Sequence, residues 1–265
     1  MGNAVMQEQI WGERARDWAE VQEATFVPVI EAVMQKIDVG AGTSVLDIGC
    51  GSGVFCEMAM QLGAQVSGLD ASEPLLEIAR ERVPHGDFQV GEMEELPYAD
   101  ETFDIVTGFN AFPFASSPVH ALQEARRVTR QGGALVIGLL GKPECSDFGA
   151  YFAALGSLLP APPPEAQGES TPGPFALSVD GALEALVLQA GMVPGKVEEL
   201  DFKWEYPDER TLLRGLLSSG PGIRAIDYAG EAAAGQALLK ALAPFKTASG
   251  GYTLRNKGRT MIVKI

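Results

Sequence analysis

Three glycines and one acid stand at spacings that suit the binding of a nucleoside. Gly49, Gly51 and Gly53 follow the apolar run of residues 44–48, and Asp70 ends the next apolar run along the chain. A glycine turn between a strand and a helix lets a ligand approach backbone N–H groups. An acid at the tip of the neighbouring strand can accept hydrogen bonds from two ribose hydroxyls. The pattern therefore predicts a site for a nucleoside cofactor.

The elements that must position these residues alternate between strands and helices. Predicted strands cover residues 44–48, 65–70, 87–90, 103–107, 134–139, 197–204 and 259–265. Predicted helices cover residues 8–20, 26–37, 54–62, 72–82, 117–128, 148–159, 178–190, 211–217 and 231–242. Such alternation predicts an α/β fold with a doubly wound, Rossmann-like sheet.

The glycine turn distinguishes two classes of nucleoside site. Its third glycine comes one residue earlier than in the dinucleotide fingerprint, where Val54 takes that position, and Asp47 precedes the first glycine. The sequence Asp-x-Gly-x-Gly-x-Gly resembles motif I of the class I S-adenosylmethionine-dependent methyltransferases. In order along the chain, the resemblance continues through residues 66–72, 91–98, 103–106, 122–128 and 132–133.

This resemblance covers about residues 44–140. Within the family, the chain generally resembles the menaquinone/ubiquinone-biosynthesis-like branch of small-molecule methyltransferases. It implies that Gly49, Gly51 and Gly53 pass beneath the methionine and ribose parts of S-adenosylmethionine. Asp70 would hold the ribose, and Ala71 would pack on the adenine face.

The same resemblance implies that five further residues lie at or near the cofactor site. Asp47 completes motif I, Glu92 would lie near the adenine amine, and the backbone of Met93 would meet the edge of the ring. Phe109 and Asn110, after the fourth strand, would lie near the reacting end. Glu92 could alternatively be a solvated loop acid.

The resemblance also predicts how the remaining segments are arranged. Residues 44–205 and 252–265 would form a core with seven strands, the last of them antiparallel. Residues 1–43 would form a helical cap in which Trp11 and Trp18 cover the methionine end, or serve only as packing anchors. Residues 206–251 would form a helical lid inserted between strands 6 and 7.

Composition limits the class of substrate. The chain has 46% hydrophobic residues, a net charge of −15 and a pI near 4.6. Nucleic acids are bound by basic surfaces, so we expect a small-molecule substrate and no nucleic-acid partner. We find no apolar run that could span a membrane and no signal-peptide pattern, which predicts a cytoplasmic protein. We expect a monomer or a homodimer. Three cysteines and two histidines show no metal-ligand spacing, so no metal is expected.

No residue stands out as the catalytic base. The candidates are Tyr151, Tyr206, Asp227, Tyr228 and His120, and no spacing singles one out. Methyl transfer from a sulfonium needs alignment and exclusion of water more than a strong base. The resemblance implies in-line methyl transfer to an O, N or C atom of a small organic molecule.

Three alternatives remain open at this point. The protein could use the cofactor without transferring a methyl group, or it could be a non-catalytic cofactor-binding module. The spacing at Val54 disfavours a nicotinamide oxidoreductase. We also expect an irregular loop over residues 160–174, and we expect Arg255, Lys257 and Arg259 to lie on a solvated hairpin.

Overall fold

A single mixed sheet runs through the structure, a computed structural model that describes residues 4–160 and 173–265. Its strands in these residues are β1 Ser44–Ile48, β2 Gln65–Asp70, β3 Asp87–Val90, β4 Phe103–Phe109, β5 Thr129–Leu140, β6 Val197–Tyr206 and β7 Tyr252–Lys264. Their order is β3-β2-β1-β4-β5-β7-β6. β1 to β5 pair in parallel, and β7 lies antiparallel between β5 and β6. The predicted Rossmann-like sheet with an antiparallel last strand is confirmed.

Helices lie on both sides of this sheet. They are α1 Ala4–Gly12, α2 Ala15–Asp17, α3 Val27–Met34, α4 Val54–Gln61, α5 Glu73–Arg82, α6 Pro118–Val128, α7 Phe148–Gly156, α8 Ala182–Gln189, α9 Glu209–Leu217, α10 Gly220–Ala229 and α11 Glu231–Leu242. Ser72 and Ser117 cap α5 and α6 by accepting backbone N–H groups. Each cap is followed within two residues by a proline, Pro74 or Pro118, which is tolerated in the first turn.

The central strand explains why the sheet forms around the glycine turn. Leu46 and Ile48 of β1 are fully buried because helices cover both faces of the sheet. A parallel strand covered on both faces is mostly apolar, and Val45, Leu46 and Ile48 of β1 fit this pattern. The sheet therefore holds the end of β1, and the turn that follows it, in a fixed place.

The N-terminal segment is less regular than the sequence predicts. The single helix expected over residues 8–20 is interrupted at residues 13–14, which separate α1 from α2. A π-helical turn at Trp18–Gln22 and a 3-10 turn at Glu23–Phe26 follow α2. π-helical turns are rare and often lie at functional sites. This one turns the chain so that Gln22 and Glu23 point into the protein, where both are buried.

Two elements of the second half differ from the expectation. α10 was not predicted because it begins with Gly220, Pro221 and Gly222, a sequence typical of turns. A Cβ on Gly222 would lie 2.6 Å from the carbonyl oxygen of Leu216, so glycine permits the close approach of α9 and α10. Ser219 caps the helix by accepting the N–H of Gly222.

The solvated hairpin expected around Arg255, Lys257 and Arg259 is wrong. All three residues belong to β7, in which Arg255 and Lys257 pair with β6 and Arg259 pairs with both β5 and β6. Arg259 is only 6% exposed and donates to the carbonyl oxygen of Ser178. Strand pairing of residues 252–258 therefore extends the sheet well beyond the predicted start of the last strand.

The N-terminal segment joins the core to the helices between β6 and β7. Tyr206 of β6 donates to Gln22 Oε1 at 2.7 Å. Arg214 of α9 forms ion pairs with Asp17 and Glu20. The irregular loop expected over residues 160–174 lies largely outside the described residues. Among the helices that the structure describes, none is long and apolar enough to cross a membrane.

Candidate cofactor and acceptor site

The turn after β1 has a backbone that only glycine adopts easily. Gly49, Gly51 and Gly53 have φ angles of 68°, 55° and 84°, in the left-handed region that side chains disfavour. A Cβ on Gly49 would lie 2.6 Å from the Cβ of Ala111, and one on Gly51 would lie 2.5 Å from Glu23 Oε1. Glycine is therefore required here for two reasons: the backbone has a positive φ, and a Cβ would clash with neighbouring atoms.

Asp70 lies at the end of β2 and is tied to the glycine turn. Its Oδ2 accepts the N–H of Gly51 at 2.9 Å, and its Oδ1 accepts the N–H of Ser72 at 2.9 Å. Burial raises the pKa of Asp70, and these backbone N–H groups oppose that rise. Each carboxylate oxygen can accept a further hydrogen bond, so Asp70 can hold a ligand hydroxyl as well as the turn.

Asp47 is a buried carboxyl group on the other side of the same turn. It is 3% exposed and accepts the hydroxyl of Thr107 at 2.6 Å. Burial raises the pKa of Asp47 to about 8, and the Thr107 hydrogen bond opposes part of the rise. A cationic group brought beside Asp47 would favour its ionised form.

Glu23 also contacts the glycine turn, and sequence reasoning missed it. It is 8% exposed, and its carboxylate accepts both the N–H and the hydroxyl of Ser52. Arg82 of α5 donates to Glu23 Oε2 at 2.8 Å and to the carbonyl oxygen of Ala19 at 2.9 Å. Burial raises the pKa of Glu23, and the Ser52 hydrogen bonds and the Arg82 charge oppose this. No local pattern marks Glu23, because its partners are distant in sequence.

One cavity is lined both by these groups and by residues from the second half of the chain. Its atom-free space, the open mouth included, is about 1460 Å³. The predicted cofactor residues that line it are Asp47, Gly49, Gly51, Asp70, Ala71, Glu92, Met93, Phe109, Asn110, Trp11 and Trp18. Gly53 is not among the lining residues; it packs against Ala79 of α5. Their contacts with a cofactor stay predictions.

Aromatic rings cover the cavity from the N-terminal side. Trp11 and Trp18 meet edge to face with ring centroids 4.8 Å apart, and Trp11 meets Phe114 in the same way at 5.7 Å. Trp11 also donates its indole N–H to Gln7 Oε1 at 3.0 Å. These contacts place both tryptophans against the cavity while they pack against each other, so the two roles considered for them are compatible.

Asn110 adopts an uncommon backbone conformation at the start of the loop after β4. Its φ is 54°, and its N–H donates to the carbonyl oxygen of Gly138 at 2.8 Å. Asparagine tolerates this left-handed region better than most residues. Non-glycine residues held in it are concentrated at functional sites. Asn110 lines the cavity where β1 and β4 lie side by side.

The catalytic candidates separate by position. Tyr151 of α7 lines the cavity, whereas Tyr206 is not among its described lining residues and donates instead to Gln22. His120, Asp227 and Tyr228 are exposed and also do not line the cavity. Of the five candidates, Tyr151 alone is among the described lining residues of the cavity, and the catalytic role of each candidate stays a prediction.

The charged lining residues of the cavity all come from the part of the described chain before Phe109. The acids Glu23, Asp47, Asp70, Glu92 and Glu94 lie around the glycine turn and after β3, whereas the described lining residues from Phe109 onward are uncharged. Among the described residues, no Lys, Arg or His lines the cavity. Nor does that part of the chain contain a group of three His, Cys, Asp or Glu that could hold a metal.

Comparison with known proteins identifies part of the chain. Residues 46–137 match the profile of a family described as methyltransferase domain. Over 130 residues, the chain is 34% identical to a malonyl-[acyl-carrier protein] O-methyltransferase from Erwinia pyrifoliae, covering 49% of this chain and 50% of that protein. It is 35% identical over 130 residues to a demethylmenaquinone methyltransferase from Renibacterium salmoninarum, covering 49% and 55%.

The chain spans about half the length of the curated relatives it matches. A solved structure, the YcgJ protein from Bacillus subtilis, superposes with a TM-score of 0.58 at 18% identity and covers 90% of this chain and 98% of that one. At this identity the superposition shows a shared fold. The part of the chain after the matched segment, which supplies Tyr151, Trp204 and Ser219 to the cavity, lies outside the family match.

Proposed function

Because the chain carries a class I S-adenosylmethionine-dependent methyltransferase domain, we propose that it transfers a methyl group from S-adenosylmethionine to a small organic molecule. The observation that carries this proposal is the single cavity. It joins the glycine turn and Asp70 on one side to an aromatic chamber on the other. A cofactor at the turn and an acceptor in the chamber would share one space, as direct transfer requires.

The residues around the glycine turn fit this cofactor. Gly51 lines the cavity, and its positive φ exposes backbone to a ligand. Asp70 has free acceptor capacity for ribose hydroxyls. Asp47 offers a buried carboxyl group to the cationic amino-acid portion. When bound, S-adenosylmethionine supplies a methyl group on a positively charged sulfur, which leaves as a neutral thioether.

The contribution of the protein is alignment and exclusion of water. Trp11 and Trp18 would cover the cofactor from the N-terminal side, and the acids around the turn would favour its positive charge. Burial raises the pKa of Tyr151, so its phenol stays neutral at physiological pH and does not serve as a base. In-line transfer then depends on proximity and desolvation.

We also propose that residues 1–43 and residues 206–251 form the two covers of the cavity. The proposal is supported by Trp11 and Trp18 from the first segment and by Ser219 and Pro221 from the second, all of which line it. The acceptor would enter between these covers. The net charge of −15 makes a nucleic-acid acceptor unfavourable.

A methyl-transfer assay tests this function. The full chain is incubated with S-adenosylmethionine labelled in the methyl group, together with a panel of naphthols and quinols, or with tRNA. We expect label in an organic-extractable product and an equal amount of S-adenosylhomocysteine. The Asp70→Ala variant should lose activity, and Asp201→Ala, an exposed aspartate paired with Lys257, should retain it. Label in tRNA alone, or a bound cofactor that transfers no methyl to any acceptor, would overturn the proposal.

A further inference from the structure

The chamber opposite the glycine turn has the chemistry of a site for an uncharged molecule. Its described walls include the rings of Phe26, Phe152 and Trp204 and the side chain of Leu140. A buried charge without a partner costs far more free energy than a buried hydroxyl. None of these wall residues is charged, so none of them would compensate a charged acceptor.

Two hydroxyl groups face each other in this chamber. Tyr151 is 2% exposed, and its phenol oxygen is hydrogen-bonded to Ser219 Oγ. Ser219 donates its own proton to the carbonyl oxygen of Leu216 at 2.8 Å and accepts the N–H of Gly222 at 3.2 Å. A hydroxyl has one proton to donate and two lone pairs. Tyr151 must therefore be the donor in its bond with Ser219.

Under this assignment, the oxygen of Tyr151 can still accept a hydrogen bond but cannot donate another. Its proton is committed to Ser219, and Ser219 has no remaining capacity. The lone pairs of Tyr151 Oη have no hydrogen-bond donor within the described residues. A ligand group that completes this arrangement must donate a hydrogen bond rather than accept one.

We propose that the acceptor is an uncharged, mainly apolar molecule that carries a hydroxyl group, and that this hydroxyl donates a hydrogen bond to Tyr151 Oη. The inference rests on the proposed function, because it places the acceptor in the chamber beside a bound cofactor. Tyr151 and Ser219 are then specificity-determining residues. Ser219 accepts the hydroxyl proton of Tyr151, and Tyr151 Oη therefore selects a ligand group that donates a hydrogen bond.

Three naphthalene probes of equal ring size separate charge from hydrogen-bond donation. 2-Naphthol is neutral and donates, 2-methoxynaphthalene is neutral and cannot donate, and 2-naphthoate is an anion at pH 7. The full chain is first titrated with S-adenosylhomocysteine, and each probe is then titrated into the saturated protein. Failure of the first titration would count against the proposed function, whereas failure of the second alone would count against this inference.

We expect 2-naphthol to bind most tightly and 2-naphthoate most weakly. The hydrogen bond to Tyr151 should give 2-naphthol an advantage of about three- to tenfold over 2-methoxynaphthalene. Tyr151→Phe should abolish that advantage while leaving the affinity for S-adenosylhomocysteine unchanged. Tyr228→Phe, the same substitution at a tyrosine that is 61% exposed, should preserve it.

Several outcomes would overturn the inference. These are equal or tighter binding of 2-naphthoate, no preference for 2-naphthol in the wild-type protein, or a preference that survives in Tyr151→Phe. Binding of none of the three probes to the saturated protein would also overturn it. If Tyr151→Phe does not fold, Ser219→Ala replaces it. Ser219→Ala frees the tyrosine proton, so 2-methoxynaphthalene should gain relative to 2-naphthol.

Discussion

The Glu23→Ala variant is expected to lose about 3 kcal/mol of its free energy of unfolding, which corresponds to a Tm roughly 6–12 °C lower than that of the wild-type protein. The carboxylate of Glu23 holds both polar groups of Ser52 and the guanidinium of Arg82. Its removal leaves these donors buried or half-buried without their acceptor, and unmet buried donors are costly. Thermal and urea unfolding of the cofactor-free protein measure the effect.

The same substitution should weaken cofactor binding, because Glu23 touches the space above Gly51 and fixes the turn through Ser52. The matched control is Glu198→Ala, which removes an exposed ion pair with Lys36 and should change stability by less than about 1 kcal/mol. Glu23→Gln keeps one acceptor oxygen and should fall between the two. If Glu23→Ala and Glu198→Ala have the same free energy of unfolding, Glu23 does not stabilise the glycine turn.

The second large effect is on the pH dependence of cofactor affinity. The pKa of Asp47 is raised to about 8 by burial, so the carboxyl group is mainly protonated below that pH. The ammonium group of S-adenosylhomocysteine favours the ionised form, and binding at lower pH must therefore release a proton. Between pH 8 and pH 6 we expect the affinity to fall by about tenfold or more. Calorimetry in buffers of different ionisation enthalpy would detect the released proton.

Asp47→Asn separates this linkage from other titrating groups. Its amide keeps the size of the side chain and can still accept the Thr107 hydroxyl, but it cannot ionise. The variant should bind S-adenosylhomocysteine more weakly at pH 8, with an affinity that changes little toward pH 6. A wild-type affinity that is equal at pH 6 and pH 8 would contradict the assignment.

The raised pKa of Asp47 also has a consequence for stability. In the unfolded chain the carboxyl group ionises near its ordinary value of 3.8, whereas in the folded protein it stays protonated to about pH 8. Stability from this group is therefore fully present below pH 3.8 and is lost as the pH rises toward 8. The free energy of unfolding of Asp47→Asn should exceed that of the wild-type protein by an amount that grows over this range.

The sequence was sufficient for the sheet and the glycine turn because both depend on local patterns. Residues 44–53 contain a buried strand and three glycines whose positive φ angles require that residue. Asp70 follows from the strand that ends beside the turn. Each of these features extends over few residues, so the local sequence pattern is enough to predict it.

Long-range contacts could not be predicted in the same way. Glu23 lies in an irregular segment, and its contact with Ser52 arises only when the π-helical turn directs it inward. Arg259 is buried because β7 is paired on both sides, which depends on β6. The start of α10 looks like a turn because its glycines serve the packing against α9. In each case a tertiary contact determines the burial or the secondary structure, and the local sequence does not contain that information.

Calorimetric titration of the full chain with S-adenosylhomocysteine, beside NAD, tests the central claim most directly. We predict one binding site per chain for S-adenosylhomocysteine, none for NAD, and an affinity at least about tenfold lower in Asp70→Ala. Asp201→Ala should bind as the wild-type protein does. A folded wild-type chain that binds NAD but not S-adenosylhomocysteine, or an Asp70→Ala variant with unchanged affinity, would contradict the account of the glycine turn as the cofactor site.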